Sequence, residues 1–188
     1  ISRGSRVLLT ESLPLGVVRL ADKHGRNDPP TPEDLAEMKK QVRAVAKRAA
    51  QAVRKTEFRT CVGSSGTIQS LSMVFEAAIR GRELGPSGHR TLTRAGLKQV
   101  NRLLRRTTLK EKLKIPGLDP RRRDIAVAGG LLLAWILKRT GAEEIMVGER
   151  GLREGVLLDF VRRQGERKVP DRNVRARSVD RLLRRSNA

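Results

Sequence analysis

Val62-Gly63-Ser64-Ser65-Gly66-Thr67 is the stretch whose residue types could hold an anion. A β-type run, Phe58 to Val62, precedes it, and a helical run, Ile68 to Phe75, follows. Where a strand ends in glycine and small hydroxyl residues at a helix start, backbone N–H groups are exposed. No Cβ blocks their approach, and the helix end carries partial positive charge, so phosphate can sit there. The same junction can also serve only as a turn and a cap. Gly63, Ser64, Ser65, Gly66 and Thr67 therefore take their meaning from what else the chain supplies. The loop is not a Walker A motif, because no lysine follows its second glycine, and it is not the dinucleotide fingerprint. The acids are scattered, with nothing resembling paired metal-binding carboxylates. A complete hydrolytic site cannot be assembled from this chain.

A second glycine junction begins at Gly148, after the apolar run Ile145-Met146-Val147, and leads into Gly151-Leu152-Arg153-Glu154-Gly155. In α/β folds ligands bind beyond the carboxyl ends of strands, which is where both junctions fall.

The charge balance suits an anionic ligand. The chain has 188 residues, with 41 lysines and arginines against 20 acids, a formal net charge of +21. Such an excess draws polyanions: nucleic acid, polyphosphate or an acidic partner. A very soluble surface beside an acidic partner domain gives the same count. Aromatic residues make up 2% and tyrosine is absent. That argues against base stacking on rings, so nucleic acid is not expected as a specific partner. Cys61 is the single cysteine and has no internal disulfide partner. It reads as a buried, inert thiol. His24 and His89 sit in polar, loop-like surroundings and read as surface imidazoles. The longest uncharged apolar run, Ile125 to Leu137, is too short to span a bilayer, and no signal peptide is visible. A cytoplasmic location is the resulting expectation.

The elements that must position these residues read in the order β-β-α-β-α-α-α-α-β-α, an α/β pattern. Arg6 to Thr10 and Val17 to Leu20 read as strands. Thr31 is an N-cap with Pro32 in the first turn and Asp34 closing a capping box. Leu35, Met38, Val42, Val45, Ala49 and Val53 mark the apolar face of that helix. Leu97, Val100, Leu103 and Leu104 mark another, and Thr108-Leu109-Lys110-Glu111 opens a third with a second box. Asp119-Pro120 reads as a cap and first turn of the apolar helix through Leu137. Gly129 and Gly130 inside it suggest close approach by a backbone or a ligand. Gly141 reads as its stop.

Four segments, taken in order, resemble the exopolyphosphatase/guanosine pentaphosphate phosphohydrolase family of the actin-like superfamily. They are Ser12 to Leu20, Val62 to Thr67, Arg122-Arg123-Asp124 with Ala128-Gly129, and Gly151 to Gly155. The resemblance implies part of the second actin-like, ribonuclease H-like domain, a mixed sheet flanked by helices. It places that domain over residues 1–165 and a basic linker over 166–188, leading toward an HD-type helical domain. It implies a substrate of inorganic polyphosphate or guanosine pentaphosphate and Mg²⁺ as the cofactor. The catalytic glutamate, the metal ligands and a further phosphate loop are expected in an N-terminal domain outside this chain. The fragment alone is expected to be inactive.

By the same resemblance, Gly63 to Thr67 would line the interdomain cleft. Arg122 could clamp phosphate with its guanidinium fork. Arg153 and Glu154 would begin a helix near the cleft, with Glu154 open to a simpler role at the positive helix end. Arg19 could touch phosphate or brace a hairpin. A homodimer is a further expected partner. Two other classes stay open: a non-catalytic polyanion-binding module, and a kinase or ATPase of the same superfamily.

Overall fold

The structure, a computed structural model, describes residues 1–4, 6–82, 90–148 and 151–164. His89 and the expected linker 166–188 lie outside them. The chain divides into two compact units, Ile1–Glu149 and Arg150–Ala188.

In the first unit the best-specified element is helix α2, Pro32–Arg54. The Thr31 hydroxyl accepts from the Asp34 N–H at 3.2 Å, and the Asp34 carboxylate accepts from the Thr31 N–H at 3.0 Å. Two N–H groups that the helix leaves unpaired are thus satisfied reciprocally. Its buried face is Met38 and Val42, as expected, then Ala46 and Ala50, one residue past the expected Val45 and Ala49, which with Leu35 and Val53 are half-buried.

The central helix is α6, Ala126–Thr140, which packs against α2, α3 (Gly66–Val74), α4 (Arg94–Arg106) and α1 (Val17–His24). Residues Ala126 to Leu131 are buried without a break, as the all-round apolar pattern requires. Gly141 stops it in the left-handed region at φ 86°. The turn read as its start is separate: Pro120–Arg122 is a short 3₁₀ turn capped by Asp119, and α6 begins after it.

The sheet of the first unit has three strands in the order β3 (Val62–Gly63), β5 (Glu144–Val147), β4 (Arg90–Thr93). β3 runs parallel to β5 and β4 antiparallel, so the sheet is mixed. Helices α3, α4 and α6 pack around it over Leu71, Leu97, Val100, Leu133, Leu137 and Ile145.

Several elements differ from the sequence reading. Val17 to Leu20 is the start of helix α1 and not a strand. The β-branched pair Val17-Val18 favours a strand on local preference. Burial decides otherwise: Leu20 is fully enclosed with Met38, Val42, Ala128 and Leu131, and a helix presents Val17, Leu20, Ala21 and His24 on one side. The Arg6 to Thr10 strand shrinks to Arg6–Val7, paired with Ser2–Arg3 across Gly4 at φ 58°. Val7 and Leu8 are exposed there, so nothing apolar pays for a longer pairing. The strand read from Phe58 narrows to Val62–Gly63, and β4, not foreseen, completes the sheet. His24 is half-buried and its Nε2 pairs with Gln41 Oε1 at 2.5 Å. No described helix is long and apolar enough to cross a membrane.

Candidate functional site

The glycine loop is built from β3 outward. A Cβ on Gly63 would meet the Ile145 side chain and lie 2.8 Å from Ile68 Cδ1, so a larger residue there would force both isoleucines to repack. The Gly63 carbonyl accepts from the Gly148 N–H at 2.8 Å, which joins the two glycine junctions at the carboxyl ends of parallel strands. Ser65 is extended and caps α3, its hydroxyl accepting from the Ile68 N–H at 3.1 Å. Gly66 and Thr67 are then the first two helical residues, and their N–H groups have no intrahelical acceptor. With the helix dipole behind them, these donors favour an anion.

Ser64 is exposed beside them. Thr67 is buried, its methyl packed where a Cβ on Gly129 would sit. Gly129 thus serves the close approach of α3 to α6.

Arg122 lies across this helix start. Its guanidinium occupies the space that a Cβ on Gly66 would take. The turn that carries it is fastened to α3 by the Ser70 hydroxyl, which accepts from the Asp119 N–H at 3.0 Å. Gly117, at φ 83°, precedes that turn, and a Cβ there would run into the backbone of Met73. Asp119 Oδ2 pairs with Arg122 Nε at 3.3 Å and positions the fork. The Asp119 carboxyl is held below the usual carboxylate range, first by the Arg121 N–H and side chain, then by the charges of Arg121 and Arg122. On the other side, Gln69 Nε2 donates to the Gly148 carbonyl at 3.0 Å. Ser70 and Gln69 were not singled out from the sequence. Their partners lie 49 and 79 residues away, so no local spacing marks them.

Arg19 is exposed on α1 with no carboxylate partner among the described residues. It braces no hairpin, because its segment is helical. Arg153 and Glu154 belong to the second unit, at the start of helix α7, Leu152–Gln164. There the Glu154 carboxylate accepts from the Gly151 N–H at 2.7 Å, so it caps its own helix. Arg153 is exposed. Cys61 is half-buried, and burial pushes its thiol up, which keeps it from being a ready nucleophile. Among the described residues no group of three or more His, Cys, Asp or Glu side chains converges as a metal site would require.

The family model of the Ppx/GppA phosphatases matches residues 1–164. The chain belongs to the Ppx/GppA phosphatase family. Over 161 residues it is 32% identical to an uncharacterized protein of Streptomyces coelicolor, a match covering 85% of this chain and 47% of that one. It is 29% identical over 148 residues to Exopolyphosphatase 1 of Mycobacterium tuberculosis, covering 78% of this chain and 42% of the relative. Among solved structures, an exopolyphosphatase from Cytophaga hutchinsonii superposes with a TM-score of 0.72 at 25% identity, over 84% of this chain and 51% of that one. The Aquifex aeolicus Ppx/GppA family member gives 0.71 at 24% identity, over 88% and 53%. The chain therefore spans about half the length of the Ppx/GppA relatives it matches. The mixed α/β sheet flanked by helices is the fold these neighbours share with it.

Proposed function

We propose that this chain supplies one wall of the substrate cleft of a phosphoanhydride hydrolase that releases terminal phosphate from inorganic polyphosphate or guanosine pentaphosphate. The observation that carries the reading is the Arg122 guanidinium lying on Gly66, at the open N–H groups of α3. A cation and a helix start share one point, which is the arrangement that holds a phosphoryl group while negative charge builds on its oxygens. Family membership supports hydrolysis as the chemistry, and the relatives named exopolyphosphatase support the inorganic chain as substrate.

In this reading water attacks the terminal phosphorus, the bridging P–O bond breaks, and the shortened chain leaves with the bond electrons. Arg122 and the Gly66 and Thr67 N–H groups hold phosphate oxygens; they neither supply nor accept the proton. The carboxylate that activates water comes from outside these residues, so this chain alone binds substrate without cleaving it. Mg²⁺ is the ion the family resemblance implies. The described residues offer it no cluster of three or more His, Cys, Asp or Glu side chains.

The test is calorimetric titration of the chain with inorganic tripolyphosphate, alongside a phosphate-release assay on long-chain polyphosphate. Binding that weakens in Arg122→Ala, with no release by the chain alone, is the expected result. Release by the chain alone overturns the divided site. Unchanged binding by Arg122→Ala overturns the role of the loop.

A further inference from the structure

A second surface suited to anions lies along the seam of α4 and α6, where a cleft of about 680 Å³ opens. That volume falls inside the range of roughly 300–1,000 Å³ typical of small-ligand sites. Its rim carries Arg94, Lys98 and Arg105 from α4, Lys138 and Arg139 from α6, and Lys39 from α2. A single carboxylate, Glu143, stands among them, and it is paired with Arg94. Lys39, Lys98 and Lys138 have no carboxylate within ion-pair distance among the described residues. Arg105 spends its Nε on the Asn101 carbonyl at 2.9 Å and keeps its terminal nitrogens free of described partners. Ammonium and guanidinium groups gathered this way repel one another until an anion arrives.

The floor has a different character. Leu97, Leu131 and Ala134 line it with Trp135, the only tryptophan of the chain, and the Arg139 guanidinium sits 5.9 Å from the centre of that ring. An inorganic phosphate chain would satisfy the rim and leave this floor uncovered. An uncharged apolar ligand would cover the floor and strip water from the cations without pairing them. A ligand with several phosphate charges joined to a flat ring satisfies both, since a ring stacks on tryptophan while its phosphates reach lysine and arginine.

We propose that this cleft is a binding site for a nucleoside polyphosphate, separate from the glycine junctions. The topology sets them apart. Arg94 and Glu143 stand at the start of β5, whereas Gly63 and Gly148 stand at its end. The proposal does not rest on the hydrolase reading, because none of the cleft residues belongs to the Gly66–Arg122 pair.

Trp135 reports on the site directly. The full chain is titrated with ATP and, separately, with inorganic tripolyphosphate, following tryptophan emission. A saturable change with ATP is expected, about tenfold weaker in the Lys98→Glu, Lys138→Glu double variant. Both lysines are exposed, and circular dichroism melting checks that the variant folds. Arg122→Ala is expected to leave the ATP response intact. Three results overturn the proposal: no emission change with ATP, an equal response to tripolyphosphate, or an ATP response lost in Arg122→Ala but kept in the double variant. The last would place the nucleotide at the glycine loop.

Discussion

Arg122 rests on Gly66 across 56 positions of sequence, and a methyl group on Gly66 would claim the place its guanidinium occupies. Gly66 is not held at a positive φ, so alanine suits its backbone, and at the first position of α3 the change costs the helix nothing. The methyl nevertheless takes the place of the guanidinium. Gly66→Ala is therefore expected to keep or raise the melting temperature while weakening tripolyphosphate binding. Arg122→Lys is expected to weaken it roughly ten- to hundredfold, because a lysine cannot reproduce the fork. If Gly66→Ala binds as well as the parent, Arg122 does not act from this position.

A second pairing concerns the fold alone. Asn101 Nδ2 donates to the Gly130 carbonyl at 2.9 Å, both buried, and a Cβ on Gly130 would collide with Asn101 Oδ1. Asn101→Ala leaves a buried carbonyl in mid-helix without that donor and opens space. The expected loss is about 1–3 kcal/mol of unfolding free energy. Gly130→Ala is expected to cost about 1–3 kcal/mol through overpacking instead. Urea denaturation of both variants measures this, and losses well below 1 kcal/mol for both would show that α4 and α6 separate freely there.

These contacts show which parts of the molecule a sequence can disclose. Thr31 with Asp34, and Thr108 with Glu111, are legible because a capping box closes within four residues and needs nothing else. Gly141 is legible for a similar reason. Val17 to Leu20 misleads because Leu20 is placed by Met38, Val42, Ala128 and Leu131, which no local window contains. β4 goes unseen because Arg90–Thr93 gains its strand character by pairing with Glu144–Val147. At the site, the loop is marked by its glycines and serines, and Arg122 by family resemblance. Ser70, which fixes the Arg122 turn, is a plain helical serine until the fold brings Asp119 to it.

Acid should act on the first turn of α2. The Asn27 side chain, then the Thr31 N–H, hold the Asp34 carboxyl below its ordinary range. A depressed carboxylate pKa contributes stability above the unfolded value and loses it as pH falls through the folded one. Asp34→Asn removes the titrating group. Its stability is expected to fall less steeply than that of the parent between neutral pH and about pH 3. Thr31→Ala, which cuts the other half of the box, should cost about 1 kcal/mol at neutral pH. Parallel acid profiles for Asp34→Asn and the parent would remove Asp34 from the acid response.

Lys112 should produce the opposite limb. Its side chain is 1% exposed, its Nζ donates to the Thr107 carbonyl at 2.6 Å, and Asp28 Oδ1 lies 3.9 Å away. Asp28 in turn accepts from the Leu109 N–H at 2.8 Å, so the loop before α2 is fastened to α5, Leu109–Lys112. Burial pushes the ammonium down, and the charges of Asp28 and Glu111 only partly oppose it. With the folded pKa below the unfolded one, the unfolded chain binds more protons between the two, so this group adds stability as pH rises through that window. Lys112→Met keeps the apolar stem and abolishes the titration. Relative to Lys112→Met, the parent is expected to gain stability from neutral pH to about pH 10.4, the ordinary lysine value. Urea midpoints at both pH values decide it. A constant difference between the two proteins would mean that the ammonium is as well solvated in the fold as in the unfolded chain, and that Thr107 and Asp28 fully replace the water it gave up.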